Sequence, residues 1–131
     1  MEKNQQHFLI VGAGVAGLCL GKHLLDLNHQ VTVIDNDQNV STNVAAGMIN
    51  PIVFRRMTKS WRVDEFLPYA KRFYSDFGTE IGENVYHDIT IRRFFSSQQE
   101  MDFWKEKQGN PAFTDYLTPL TEADLNYSKT I

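Results

Sequence analysis

Apolar positions change their period several times along the chain, and each change predicts an element. Phe8-Leu9-Ile10-Val11 is a continuous apolar run ending in glycine, the pattern of a strand buried on both faces of a parallel sheet. From Val15 to about Asn28 the period becomes helical, with Gly14, Leu18, Gly21 and Leu25 on one face. Gly21 costs such a helix about 1 kcal/mol relative to alanine; close packing of that face on the sheet is the expected compensation. Val31-Thr32-Val33-Ile34-Asp35, β-branched at four of five positions, predicts a second strand. Strand, helix and strand within 35 residues predict a right-handed βαβ unit, the start of a doubly wound sheet.

From Asn36 to Met57 the residues turn small, polar and amide-rich, ending in Pro51 and the pair Arg55-Arg56. A helix is expected from about Asp64 to Phe77, where Phe66, Tyr69, Ala70, Phe73, Tyr74 and Phe77 make a broad apolar stripe that reads as core. Asp64 as its cap would place Pro68 in the tolerant first turn, and Gly78 is a natural stop. His87–Phe95 reads as a strand. Ser97-Gln98-Gln99-Glu100 is a capping box, in which serine and glutamate each satisfy a backbone amide. It opens a helix to about Gln108, closed by Gly109. Thr121-Glu122-Ala123-Asp124 caps one more short turn.

Composition narrows the class. The 131 residues carry 13 Lys+Arg against 16 Asp+Glu, with 42% hydrophobic and 22% charged residues, as in an ordinary folded domain. The net charge of −3 leaves no basic footprint for nucleic acid. The single Cys19 excludes an internal disulfide framework and any multi-cysteine metal site, and fits a reducing, cytoplasmic setting. No apolar run approaches membrane-spanning length, and the polar opening Met1–His7 does not read as a secretory signal. The expectation is a soluble cytoplasmic protein without nucleic-acid or membrane partners. The four histidines have no i, i+4 pairing, so no metal site is expected. Cys19 reads as a small buried apolar residue, Arg55 and Arg56 as a solvated pair. No hydrolase triad spacing is present.

The chemistry concentrates in Gly12-Ala13-Gly14-Val15-Ala16-Gly17, which fits G-x-G-x-x-G directly after a strand and opening a helix. Gly12 can make the tight turn, Gly14 admits a pyrophosphate to the backbone, and Gly17 lets the helix lie close to the sheet. Amides at the helix start favour that phosphate's charge. Asp35, 18 residues past Gly17 at the end of the second strand, can accept hydrogen bonds from an adenosine ribose and disfavours a 2′-phosphate. These features point to FAD or NAD ahead of NADP. The next segment, Ser41-Thr42-Asn43-Val44-Ala45-Ala46-Gly47-Met48-Ile49-Asn50-Pro51, lacks the apolar helical period with which an NAD-binding unit normally continues. Its small residues would let the backbone reach a flat ligand; a capped loop leading into a helix is the plainer reading.

At these two motifs the sequence resembles the D-amino-acid oxidase family of FAD-dependent oxidoreductases, which includes glycine oxidase and sarcosine oxidase. Ile10–Leu18 looks like that family's first strand and glycine turn, and Thr42–Met48 with Pro51 like its flavin-contacting loop. Beyond Pro51 the likeness is one of layout. The resemblance implies an α/β fold: a Rossmann-like FAD/NAD(P)-binding βαβ unit over 1–57, then the beginning of an α+β substrate domain over 58–131, left incomplete. It implies that Gly12, Ala13, Gly14, Val15 and Ala16 cradle the FAD pyrophosphate and that Asp35 with Asn36 holds the ribose. Ser41 or Thr42 would contact phosphate, and Ala46, Gly47 and Met48 would approach the flavin. The flavin would take a hydride from a small-molecule amine or amino acid. No catalytic side chain is identified.

Family members are much longer, so the chain is expected to be an N-terminal fragment, inactive alone, holding FAD weakly and prone to self-association through uncovered apolar surface. Two other readings stand beside this one: a non-catalytic nucleotide-binding or interaction module, and an NAD-dependent oxidoreductase.

Overall fold

A computed structural model of the protein describes residues 4–38 and 41–119. The fold is mixed α/β with a small parallel sheet, and the chain divides into two compact units after Ile49.

In the first unit, β1 (His7–Val11) and β2 (Gln30–Ile34) pair in parallel, with Ile10 opposite Val33 and Val11 opposite Ile34. Between them runs α1 (Val15–Asp26). It ends two residues before the expected Asn28, because Asn28 adopts φ 64°, a left-handed conformation that asparagine tolerates. The amides of Leu27, Asn28 and His29 turn back onto the carbonyls of His23, Leu25 and Leu24. Ile10 is buried beneath the helix face that carries Gly21. A Cβ at Gly21 would lie 3.5 Å from Ile10 Cδ1 and 3.7 Å from Val31 Cγ1. That is ordinary contact, so the packing of this face, contrary to expectation, does not demand glycine. Cys19 is half-buried rather than buried. A single helical turn, α2 (Ser41–Val44), follows.

The second unit starts with a short antiparallel hairpin, β3 (Ile52–Val53) against β4 (Thr58–Lys59). It takes residues 50–57 into this unit, whereas the expected division falls after 57. A 3-10 turn over Phe54–Arg56 and Met57 at φ 48° connect the strands, and Arg55 and Arg56 are exposed on it. Met57 is fully buried with Ile52 and Leu117, and Trp104, Phe113 and Tyr116 pack around them.

Helix α3 (Val63–Ile81) departs from expectation at both ends. It starts from Arg62, so Asp64 lies in the first turn and Pro68 inside the helix. Asp64 instead accepts from Lys59 Nζ at 2.6 Å and from the Tyr116 hydroxyl at 2.6 Å. Gly78 does not stop the helix; a Cβ there would sit 2.5 Å from the Glu83 carbonyl oxygen, and the chain turns at Gly82, φ 75°. Phe66 and Tyr69 are exposed rather than core. Phe66 packs edge-on against Trp61, with the Arg62 guanidinium 4.8 Å from its ring centre.

The expected strand over His87–Phe95 is absent, since no described strand offers it a ladder. The segment is tied instead through Arg93 Nε, which donates to Glu100 Oε1 at 2.9 Å. Helix α4 (Gln98–Gln108) is capped by Ser97, whose hydroxyl accepts from Glu100 N–H. Glu100 returns its carboxylate to the amide of Ser96, which with Arg93 holds it below the usual carboxylate range despite burial. The turn expected at Thr121–Asp124 lies outside the described residues. No described helix is long and apolar enough to cross a membrane.

Candidate functional site

The glycine turn grows directly out of the parallel ladder. Gly12 N–H donates to the Ile34 carbonyl at 2.8 Å, extending the pairing by one step. Gly12 then takes φ 105°, with open space where a Cβ would stand. Its requirement for glycine is therefore conformational. Gly17 is different: a Cβ there would lie 2.1 Å from the Gly12 carbonyl oxygen and 3.3 Å from Ile10 Cγ2. The helix rests on the turn as well as on the sheet, and only a bare Cα fits.

Asp35 follows β2 immediately, beside the turn. Its Oδ2 accepts from Ala13 N–H at 2.6 Å and its Oδ1 from Asp37 N–H at 2.7 Å. These amides, Ala13 first, hold its carboxyl below the usual carboxylate range. Asn36 closes an Asx turn through Oδ1, which accepts from Gln38 N–H at 3.1 Å. Thr42, on α2, reaches back to the start of α1, where Oγ1 accepts from Val15 N–H at 3.2 Å.

Among the described residues, no acceptor takes the amides of Gly14, Ala16 and Gly17. The first turn of α1 carries no acidic residue. Unpartnered amides at a helix start can hold the oxygens of an anion. The bare backbone at Gly12 leaves the approach open.

The structure thus joins Ala13 to Asp35 and Val15 to Thr42. Ser41 starts α2 and its carbonyl accepts from Ala45 N–H. Ala46, Gly47 and Met48 form an exposed stretch with Gly47 at φ 68°. Among the described residues no hydrogen bond ties those three to the glycine turn. Sequence reasoning missed the Ala13–Asp35 and Val15–Thr42 bonds. Their signal was present in residue type, since Asp and Thr are the side chains that accept from helix-start amides, but their partners lie 22 and 27 positions away.

Comparison with known proteins gives a consistent set of relatives. The family described as FAD dependent oxidoreductase matches residues 7–125. Over 82 residues, 56% of this chain and 12% of the relative, the sequence is 33% identical to the tRNA 5-methylaminomethyl-2-thiouridine biosynthesis bifunctional protein MnmC of Acinetobacter baylyi. It is 29% identical over 87 residues, 66% of this chain and 23% of the relative, to the uncharacterized oxidoreductase YurR of Bacillus subtilis. It is 29% identical over 98 residues, 68% of this chain and 16% of the relative, to an L-amino-acid oxidase of Mus musculus. The chain therefore spans less than a quarter of the length of each of these relatives. No solved structure matches.

Proposed function

The chain belongs to the FAD-dependent oxidoreductase family, and from that premise we propose that its first unit holds the dinucleotide of FAD for oxidation of an amine or amino acid. The observation that carries this reading is the bare helix start: amides of Gly14, Ala16 and Gly17 without acceptors, beside a carboxylate already fixed at Asp35. In this Rossmann-like reading, backbone atoms of Gly12 to Ala16 cradle the diphosphate, and Asp35 with Asn36 faces the adenosine ribose. The Ser41 or Thr42 hydroxyl meets a phosphate oxygen. Ala46, Gly47 and Met48 offer their main chain to the flavin ring.

Held by these residues, FAD would supply a hydride acceptor for the carbon bearing the amine. What this chain contributes is position. The α1 dipole favours the diphosphate charge, and the Asp35 carboxylate repels a 2′-phosphate, which supports FAD over NADP. The second unit, from Asn50 on, is proposed as the start of a substrate-binding domain, this chain being cytoplasmic, inactive alone and inclined to self-associate.

A free small-molecule substrate is supported by the similarity to an L-amino-acid oxidase. A second reading, an amine carried on tRNA, is favoured by the similarity to the tRNA biosynthesis protein.

Titrating the full chain with FAD, NAD and NADP while following its thermal midpoint tests the cofactor reading. FAD is expected to raise the midpoint most and NADP least. A response to NAD alone would favour the NAD-dependent alternative, and indifference to all three would end the proposal.

A further inference from the structure

Val15 is the first residue of α1, and its amide has no acceptor within the helix. A serine or aspartate one position earlier would ordinarily bring a side-chain acceptor to this helix start, at the amides two or three positions on. That position is Gly14, which has no side chain to offer. The acceptor comes instead from Thr42, whose Oγ1 stands 3.2 Å from Val15 N. A Cβ built on Gly14 would meet the same oxygen, also at 3.2 Å, closer than ordinary contact. At Gly12 and Gly47, by contrast, a Cβ would meet nothing within 4 Å. Position 14 is therefore tight because of Thr42.

We infer that Thr42 is a positioning residue: it supplies the acceptor for the first amide of α1 from the second loop, crowds any Cβ at position 14, and locks α2 onto the glycine turn. The inference rests on the cofactor reading above, because the two pieces it joins are the proposed diphosphate turn and the loop leading to the flavin. A hydroxyl has one hydrogen and two lone pairs. With a lone pair committed to Val15, the hydrogen stays available to an acceptor outside the protein. The lock sets the direction of that hydrogen and carries the register of Ser41–Val44 into the chain that follows.

The test compares Thr42→Val, which keeps the branched shape without an acceptor, with Thr42→Ser, which keeps the acceptor. By quenching of flavin fluorescence, Thr42→Val is expected to weaken FAD binding about fivefold, and Thr42→Ser to stay within about twofold of the unsubstituted chain. The ligand-free thermal midpoint should fall in the same order, because the Val15–Thr42 bond exists without ligand. A cycle of Gly14→Ala, Thr42→Ala and the double variant then isolates the lock. The Gly14→Ala penalty on FAD binding should shrink at least about threefold once Thr42 is alanine, since the oxygen it meets is gone, and its penalty on the ligand-free midpoint should shrink with it.

Equal behaviour of the valine and serine variants overturns the inference. So do independent penalties from Gly14→Ala and Thr42→Ala in the ligand-free midpoint. If the unsubstituted chain takes up no FAD, the cofactor reading falls, while the midpoint cycle still decides whether the lock exists.

Discussion

The two units of this chain hold their shape by different means. In the second, burial decides: Met57 is at 0% exposure with Ile52 and Leu117 against it, and aromatic side chains close the cluster. In the first, apolar strand residues stay open, Leu9 at 62% and Val11 at 82%. Its local geometry rests on short contacts to the main chain: Gly12 to Ile34, Ala13 to Asp35, Val15 to Thr42, and Gly17 beneath the Gly12 carbonyl. A surface that must present its backbone to a ligand cannot also cover that backbone with side chains. Substitutions at the glycine turn and its partners should therefore be read out in cofactor binding, and those in the second unit in stability alone.

Gly17→Ala puts that division under the greatest stress. The added Cβ would meet Gly12 O at 2.1 Å and Gly12 C at 3.3 Å, both backbone atoms that cannot rotate aside. A loss of more than about 3 kcal/mol in urea unfolding is expected, together with loss of FAD uptake. An alanine variant with unchanged midpoint and affinity would show that the helix does not rest on the turn.

Met57→Ala probes the other side. Emptying a fully buried site should cost about 2–3 kcal/mol. All the proposed cofactor contacts lie between Gly12 and Met48, so FAD affinity measured under folded conditions should stay within about twofold. A large change in affinity there would break the separation between the units.

Acid titration sharpens the account of Asp35. Its folded-state carboxyl is depressed by the Ala13 and Asp37 amides. Its contribution is therefore present above the unfolded carboxylate range, about pH 4, and is lost as pH falls through the lower folded value. FAD affinity should hold from neutrality down to about pH 4 and fall below it. Asp35→Asn, which keeps one oxygen acceptor, should bind less tightly at neutral pH and show a shallower acid loss. The ratio of variant to unsubstituted affinity isolates Asp35 from other carboxylates; a ratio constant across the acid range would remove Asp35 from the site.

How far the sequence could be read follows from the range of each interaction. β1, α1, β2 and the Ser97–Glu100 cap were legible because their causes lie within a few residues. The hairpin of β3 and β4 was not, since two-residue strands carry no alternation to detect. His87–Phe95 has the composition of a strand, but a strand needs a partner, and local pattern cannot promise one. Gly78 and Gly82 look alike in sequence. Only the fold distinguishes the glycine that admits the Glu83 carbonyl from the one that turns the chain. In the candidate site the bare turn and the acid were visible. The pairing of Ala13 with Asp35 and of Val15 with Thr42 was not, because each closes across more than twenty residues.

The smallest expected effect separates two glycines on one helix. Gly17 and Gly21 sit four positions apart on α1 and face the same side, yet only the first touches backbone that cannot move. At Gly21 a methyl group would fall into ordinary contact with Ile10 and Val31, filling space beside buried Ile10. Alanine also removes the helix penalty of glycine, about 1 kcal/mol, and restricts the unfolded chain. Gly21→Ala should accordingly leave FAD binding unchanged and raise stability by up to about 1 kcal/mol, read as a small upward shift of the urea midpoint. A loss of stability would mean that helix and sheet approach more closely at this point than side-chain contact allows, and that Gly21 belongs with Gly17 after all.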